Sequence, residues 1–176
     1  MIAIIQRFLA ALVVVLFVGP SLLSSQDSTA SQVPAQLVPP AGEKLVLQVH
    51  AKGAQIYVCK KTGDQFAWTL KGPQAELFDD QNKVIGHHFA GPTWESNDGS
   101  QVVGKVTAKV DSPDSIPWLL LSAASHSGNG ILSKITSIQR LQTKDGKAPA
   151  SGCDAGHENK ESPVNYTAAY FFYAQP

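Results

Sequence analysis

The sequence predicts an all-β domain, either an antiparallel sandwich or a partly closed barrel with long loops. Three observations support this class. Apolar and polar residues alternate over short segments, glycine and proline turns separate those segments, and the longer stretches keep no clean helical repeat. Many short strands joined by such turns are typical of sandwiches and barrels. We expect one β domain over 45–176, preceded by an extended, proline-containing segment over 31–44.

The first thirty residues, 1–30, are predicted to be a cleavable signal peptide. Arg7 supplies a positive charge, 8–18 is an apolar run, and 28–30 offers small residues for cleavage. The alternative is a transmembrane anchor, but a spanning helix needs roughly 20 apolar residues, and this run is shorter and followed by Pro20. We expect an exported protein, periplasmic or extracellular, with no stable membrane anchor after processing.

Five short strands are predicted in the first half of the domain. Gly63 marks a turn, Gly72 and Pro73 are expected to end a strand, and the polar residues 79–83 form another turn. The apolar or alternating segments between these turns are 45–49, 54–59, 66–70, 75–78 and 84–89.

The second half continues this pattern with one ambiguous segment. Residues 96–99 read Ser-Asn-Asp-Gly, a hairpin signal because Asn, Asp and Gly tolerate positive φ. The strand after it, 102–110, has the clearest alternation, and 117–121 is continuously apolar, which suits a strand covered on both faces. In 131–141 apolar residues recur every three positions, which fits a bulged strand or a short helix. A long polar loop over 143–160 then precedes an aromatic strand over 166–173.

The charge pattern excludes some classes of partner. Fourteen basic and fourteen acidic residues are interspersed, so we expect no nucleic-acid partner and no polybasic membrane patch. Arg140 is the only arginine after signal cleavage, which excludes anion recognition by an arginine cluster within one chain. Gly128 and Gly130 superficially resemble a dinucleotide loop, but Ser133 replaces the third glycine. We expect no cofactor.

Cys59 and Cys153 are predicted to form a disulfide. They are the only cysteines, and export to an oxidising compartment makes pairing the default. The alternatives are two free thiols or a thiolate in a metal site.

The candidate ligand-binding residues lie in and beside the histidine-rich strand. They are His87, His88, Trp94, Glu95 and Asp98, a polar and aromatic group on a tight hairpin. Neighbouring side chains of a strand point to opposite faces, so the two histidines cannot both reach one ion without a bulge.

We expect His87 to point inward with Ile85 and Phe89, which leaves His88 facing solvent or a cleft. In the simplest interpretation one histidine is buried and hydrogen-bonded and the other lies on the surface. No two histidines show a spacing typical of a metal site, and no nucleophile motif is evident, so we predict neither a metal site nor a catalytic set.

Several strings of the sequence together resemble an uncharacterised family of small secreted bacterial and fungal proteins, filed as a domain of unknown function. The resemblance implies export and a single all-β domain, and it brings no activity, cofactor or catalytic residue. Some relatives are labelled malate-dehydrogenase-like, a name that the incomplete glycine loop does not support. The strings are 54–59, 87–95, 98–100, 116–121, 138–141, 152–154 and 166–173.

The functional prediction is a secreted, non-catalytic binding module, or one associated with the envelope or the cell surface, with a β-sandwich fold. Its partner is an unidentified small molecule, glycan or surface component, and its ligand-facing region lies near His88, Trp94 and Asp98. The alternative is a hydrolytic or metal-dependent enzyme that uses His87 or His88 with Glu95 or Asp98.

Overall fold

Eight antiparallel strands form one sheet in residues 33–176, the part of the chain that the computed structural model describes. Each strand pairs with its neighbour in sequence, and the first also pairs with the last, so the sheet closes into a ring. The all-β prediction is confirmed. Of the two predicted architectures, a sandwich and a partly closed barrel, the closed ring of strands corresponds to the barrel. The strands are β1 (Lys44–Thr62), β2 (Gln65–Phe78), β3 (Val84–Phe89), β4 (Thr93–Ser96), β5 (Gln101–Val110), β6 (Trp118–Ser127), β7 (Ser137–Asp145) and β8 (Glu161–Ala174).

The predicted signal peptide, 1–30, lies outside the described residues and stays a prediction. Within 33–176, no helix is long and apolar enough to cross a membrane. The segment that leads into β1 was expected to be extended, and it contains a short 3-10 helix, Ala35–Leu37. Leu37 is fully buried, and its carbonyl oxygen accepts a hydrogen bond from Gln139 Nε2, which fixes this segment to the outside of β7.

The first two strands are longer than the sequence predicts. β1 joins two predicted strands through Gly53, where an added Cβ would lie 2.1 Å from Gln74 O, so this glycine permits close approach of β2. The prediction that Gly72 and Pro73 end a strand is wrong. β2 continues through them, and the register with β1 shifts beside Ile56, because a bulge absorbs the irregular backbone of Gly72 (φ +150°).

The ambiguous segment and the aromatic strand are also resolved. Residues 131–134 form a turn and β7 begins at Ser137, so the threefold repeat of apolar residues spans a turn and a strand. In β8 the predicted alternation is observed, with Tyr166, Ala168, Tyr170 and Phe172 all buried. Full burial of one such large side chain is worth about 1.5–3 kcal/mol, so β8 supplies much of the interior.

The predicted disulfide between Cys59 and Cys153 is confirmed. Cys59 is fully buried in β1, and Cys153 lies in the long loop between β7 and β8. Backbone hydrogen bonds from Cys59 N to Lys160 O and from Asn159 N to Cys59 O add to this attachment. The loop is therefore held against β1 although it contains no strand of its own.

The wall of the barrel has a gap between β2 and β5. Pairing of β2 with β3 stops at Gln74 and Phe89, and pairing of β4 with β5 stops at Thr93 and Val103. The turn 90–92 joins β3 to β4 at this level. Beyond it, β2 and β5 continue with no described strand between them.

Candidate functional site

A cavity of about 280 Å³ lies inside the barrel, and residues beside the gap between β2 and β5 form its mouth. Leu70 of β2 and Val106 of β5 line this mouth, and each is about half exposed (52% and 48%). The volume is just below the range of about 300–1,000 Å³ that is typical of small-molecule sites. The inner wall includes Gln55, His88, Trp94, Leu121, Arg140 and Tyr170.

The His88 and Trp94 rings form one side of the cavity. The two residues are partners across the β3–β4 hairpin, and their rings stack with centroids 4.3 Å apart. Tyr170 of β8 meets both rings edge-on, at 5.1 and 5.3 Å. Gly104 makes room for this group, since an added Cβ there would lie 3.0 Å from the Trp94 ring and from Leu121.

His88 is a neutral imidazole with a defined tautomer. Its Nδ1 lies 2.8 Å from Thr93 O. A carbonyl oxygen can only accept, so Nδ1 carries the hydrogen and Nε2 keeps its lone pair. Burial lowers the pKa of His88 to about 3, the hydrogen bond to Thr93 opposes this shift, and the positive charge of Arg140 adds to it.

Arg140 brings a positive charge to the cavity without an acidic partner. It is half-buried on β7, opposite Leu119 of β6 and Tyr170 of β8. Its Nε donates to Pro117 O at 3.0 Å. No carboxylate of residues 33–176 forms a salt bridge with it. A partly buried and unneutralised guanidinium is costly for the fold, which points to a role beyond packing.

Two buried polar groups of the cavity wall lack a hydrogen-bond partner among the described residues, Trp94 Nε1 and Gln55 Nε2. Each such group costs about 1–3 kcal/mol when it stays unsatisfied. Polar groups left in this way are satisfied by ordered water or by a ligand. The hydroxyl of Tyr170 lies close to the hydroxyl of Tyr166 and to the side chain of Arg140, so these groups can bond to one another. Burial raises the pKa of Tyr170, and the charge of Arg140 and hydrogen bonds with Tyr166 and Arg140 oppose this shift.

The structure brings only two of the five predicted site residues into this cavity, His88 and Trp94. The two histidines do face opposite ways, but the expected orientation is wrong. His88 points inward and is 2% exposed, while His87 is exposed on the outer face. The reason is the partner strand, because His88 faces Trp94 and that large ring fills the interior.

Glu95 lies outside the cavity, beside His87. The two residues are partners across the β3–β4 hairpin, and Glu95 accepts a hydrogen bond from Gln101 Nε2. Glu95 is half-buried, with a neighbour on each adjoining strand. A ligand role for His87 and Glu95 stays a prediction, and it would concern the outer surface.

Asp98 lies at the tip of the β4–β5 hairpin. Its carboxylate accepts hydrogen bonds from Ser100 N, Ser100 Oγ and Ile131 N, at 2.6–2.9 Å. These bonds, that from the Ser100 hydroxyl above all, lower the pKa of Asp98 to about 2. The carboxylate thus joins the hairpin to the turn before β7. Its predicted ligand role is untested, and the bonds it makes are those of a loop anchor.

Sequence reasoning missed Arg140, Tyr170 and Gln55 as site residues. One signal was present, since Arg140 is the only arginine after residue 30 and lies two residues after the buried Ile138, on the same face of β7. Tyr170 was visible only as part of an aromatic strand. No signal in the sequence singled out Gln55. Its side chain belongs to the site only because the closed sheet places it in the wall of the cavity.

Clusters of three or more His, Cys, Asp or Glu side chains able to hold a metal ion are not found within 33–176. The fold and the cavity instead define a class of protein, a closed antiparallel β-barrel with a small, largely apolar interior cavity that contains a few polar groups.

The chain belongs to the family DUF3455, described as "Protein of unknown function", whose model matches residues 40–174. The predicted membership of an uncharacterised family is thereby confirmed. The bacterial and fungal range and the malate-dehydrogenase-like label are not tested by this match and stay predictions from the resemblance. No curated protein and no solved structure matches the chain.

Proposed function

We propose that this protein is an exported, non-catalytic binding protein that takes one small organic molecule into the cavity of its barrel. The observation that carries the proposal is a pair of buried polar groups without partners, Trp94 Nε1 and Gln55 Nε2, in the wall of a cavity that is otherwise largely apolar. Ligand sites typically combine an apolar wall with a few polar groups that orient the ligand.

The shape of the cavity favours a free small molecule over a glycan chain or a surface component. An eight-stranded barrel has an interior just wide enough for packed side chains or for one small ligand. Here Gly72 and Gly91 line the cavity and bring no side chain into it. The half-exposed Leu70 and Val106 at the mouth offer apolar contact to the outer part of a bound molecule.

Export is part of the proposal and rests on the sequence of residues 1–30. The Cys59–Cys153 disulfide is compatible with it, because disulfides persist in oxidising compartments. A binding protein outside the cytoplasm would meet its ligand at low concentration in the medium or the periplasm.

A small-fragment screen with a blocked-mouth variant tests the proposal. Val106→Trp places a large ring at the half-exposed mouth. Val110→Trp is its control farther along β5, beyond the bulge at 106–108 and therefore on the opposite face, away from the cavity. Binding is measured by ligand-observed NMR and by isothermal calorimetry. We expect compounds that bind the wild type to bind the control equally and to bind Val106→Trp at least tenfold more weakly.

Two results would overturn the proposal. One is a screen in which no fragment binds the folded wild-type protein. The other is a set of fragments that bind the wild type, Val106→Trp and Val110→Trp with equal affinity, because such binding would take place on the outer surface.

A further inference from the structure

We infer that the ligand of the interior cavity is a small monocarboxylate, with its carboxylate at Arg140 and its apolar part toward Leu70 and Val106. The inference rests on the proposed function and names the chemical class of its ligand. It uses three features of the cavity: the kind of polar group that is unpartnered, the charge, and the polarity of the mouth.

The unpartnered polar atoms of the cavity wall are mainly hydrogen-bond donors. Trp94 Nε1 carries one N–H and can only donate, and Gln55 Nε2 carries two. Arg140 uses Nε for Pro117 O and keeps further N–H groups on its two other nitrogens. An ionised carboxylate only accepts, with two oxygens and about four lone-pair sites. These donors are complementary to the acceptor oxygens of a carboxylate, whereas His88 Nε2 is an acceptor that a carboxylate does not satisfy.

The charge of the cavity favours one negative charge in the ligand. Arg140 is the only arginine among the described residues, and no described carboxylate pairs with it. Lys71, the second cation that lines the cavity, is exposed at the mouth and already bonded to Glu161. His88 is neutral at pH 7. A monocarboxylate neutralises Arg140, whereas a dianion would leave an uncompensated negative charge in a partly desolvated site.

The residues at the mouth favour an apolar body for the part of the ligand that lies beyond its carboxylate. Leu70, Val106, Leu119 and Pro92 line the route from the gap to Arg140, and all four are apolar. Arg140 binds a carboxylate best with two parallel N–H bonds, which requires the acid group to enter first. The apolar body then occupies the outer part of the cavity, where it covers the half-exposed Leu70 and Val106.

The test compares acids with their neutral amides. Octanoate with octanamide, and benzoate with benzamide, are titrated into the full folded protein by isothermal calorimetry at pH 7. Adipate is added as a dianion and octanesulfonate as a different monoanion. The variants are Arg140→Met, which keeps an unbranched side chain and removes the guanidinium with its charge, and Arg140→Lys, which keeps the charge and removes the two parallel N–H groups. Lys71→Gln is the matched control, since it also removes one positive charge at the cavity.

We expect at least one monocarboxylate to bind the wild type about tenfold or more tightly than its amide, since hydrogen bonds to a charged group are the strong ones. Arg140→Met should remove that preference, Arg140→Lys should keep part of it, and Lys71→Gln should leave it unchanged. Should Arg140→Met fail to fold, Arg140→Lys and the acid and amide pairs still decide the question.

Contrary outcomes separate the inference from the proposed function. Equal binding of acid and amide to the wild type, or tighter binding of adipate or octanesulfonate than of both monocarboxylates, overturns the inference and leaves a cavity that binds small molecules. A preference for the acid that survives in folded Arg140→Met and disappears in Lys71→Gln overturns the assignment of Arg140. Failure of every probe to bind overturns the inference, and the fragment screen then decides whether the cavity binds anything else.

Discussion

His88 is a polar residue kept neutral by its position. Its ring stacks on Trp94, its Nδ1 donates to Thr93 O, and the charge of Arg140 faces it from β7. A protonated ring would be a second buried cation beside Arg140, which explains why the pKa of His88 falls to about 3. The residue therefore contributes a fixed tautomer and an unprotonated Nε2 to the cavity over the whole physiological range of pH.

This shift in pKa predicts acid destabilisation. Between the ordinary pKa of 6.5 and the folded value of about 3, the unfolded chain binds a proton at residue 88 that the folded protein does not. The free energy of unfolding should therefore decrease as pH falls through this window, by up to about 1.4 kcal/mol for each pH unit, with no contribution above it. His88→Asn, which keeps an N–H for Thr93 O, should flatten the slope in urea denaturation measured from pH 7 to pH 4.

His87→Asn on the outer face is the matched control for this experiment. The wild type and this control should share the steeper slope. A slope that is unchanged in His88→Asn, or that flattens equally in both variants, would contradict the assignment of the acid sensitivity to the buried ring.

At the scale of the element, β5 gives the cavity its depth. Its alternation places Val102 and Gly104 inward, and the missing side chain at Gly104 is where the Trp94 ring lies. Farther along, β5 leaves its pairing with β4 and forms one edge of the mouth. One strand thus packs the core at its start and bounds the opening at its end.

Gly104→Ala should destabilise the protein and disturb the aromatic group. The new Cβ would lie 3.0 Å from both the Trp94 ring and Leu121, so one of them must move. Overpacking of this kind costs about 1–3 kcal/mol, measurable as a lower urea midpoint. Trp94 should also change its near-ultraviolet circular dichroism, because its stacking on His88 is altered.

Gly156→Ala is the control for that substitution. Its Cβ would meet only the exposed Asp154 carboxylate, at 3.3 Å, and this side chain can move into solvent. Equal stability of Gly104→Ala and wild type would show that the space beside Trp94 is larger than the structure indicates.

At the scale of the whole molecule, ring closure and the disulfide act together. β1 pairs with β2 on one side and with β8 on the other, so the first and the last strand of the domain are hydrogen-bonded to each other. Such contacts between residues distant in sequence carry a large entropic cost of closure during folding. Cys59 and Cys153, 94 residues apart, shorten the free chain that must be closed.

Removal of the disulfide should therefore lower stability substantially. In the chain-entropy description, cross-linking a loop of this length contributes about 4 kcal/mol. The double variant Cys59→Ala, Cys153→Ala should unfold at a much lower urea concentration than the oxidised wild type. Addition of a reductant should shift the wild-type midpoint toward that of the variant and leave the variant unchanged. Coincident wild-type and variant midpoints would contradict the prediction.

Much of the fold was predictable because strand patterns are local. The inward set of β8, with Tyr166 and Tyr170, follows from alternation along one segment. The length of β1 was not predictable from the sequence, because a glycine such as Gly53 ordinarily indicates the end of a strand. Only the structure shows that Gly53 lies within β1 and allows β2 to approach closely. The site was less predictable still. Alternation separates His87 from His88, but only the pairing of His88 with Trp94 decides which of them is inside.

The sequence by itself determined the β class, the alternating faces and the pairing of Cys59 with Cys153, since periodicity along the chain and the number of cysteines are local or countable properties. Only the tertiary structure decided that the sheet closes, that a gap remains between β2 and β5, and that Arg140 faces the cavity without an acidic partner. These features depend on which strands meet across long separations in sequence. The physical reason is that a side chain's partners and its exposure to water exist only after the ring has formed.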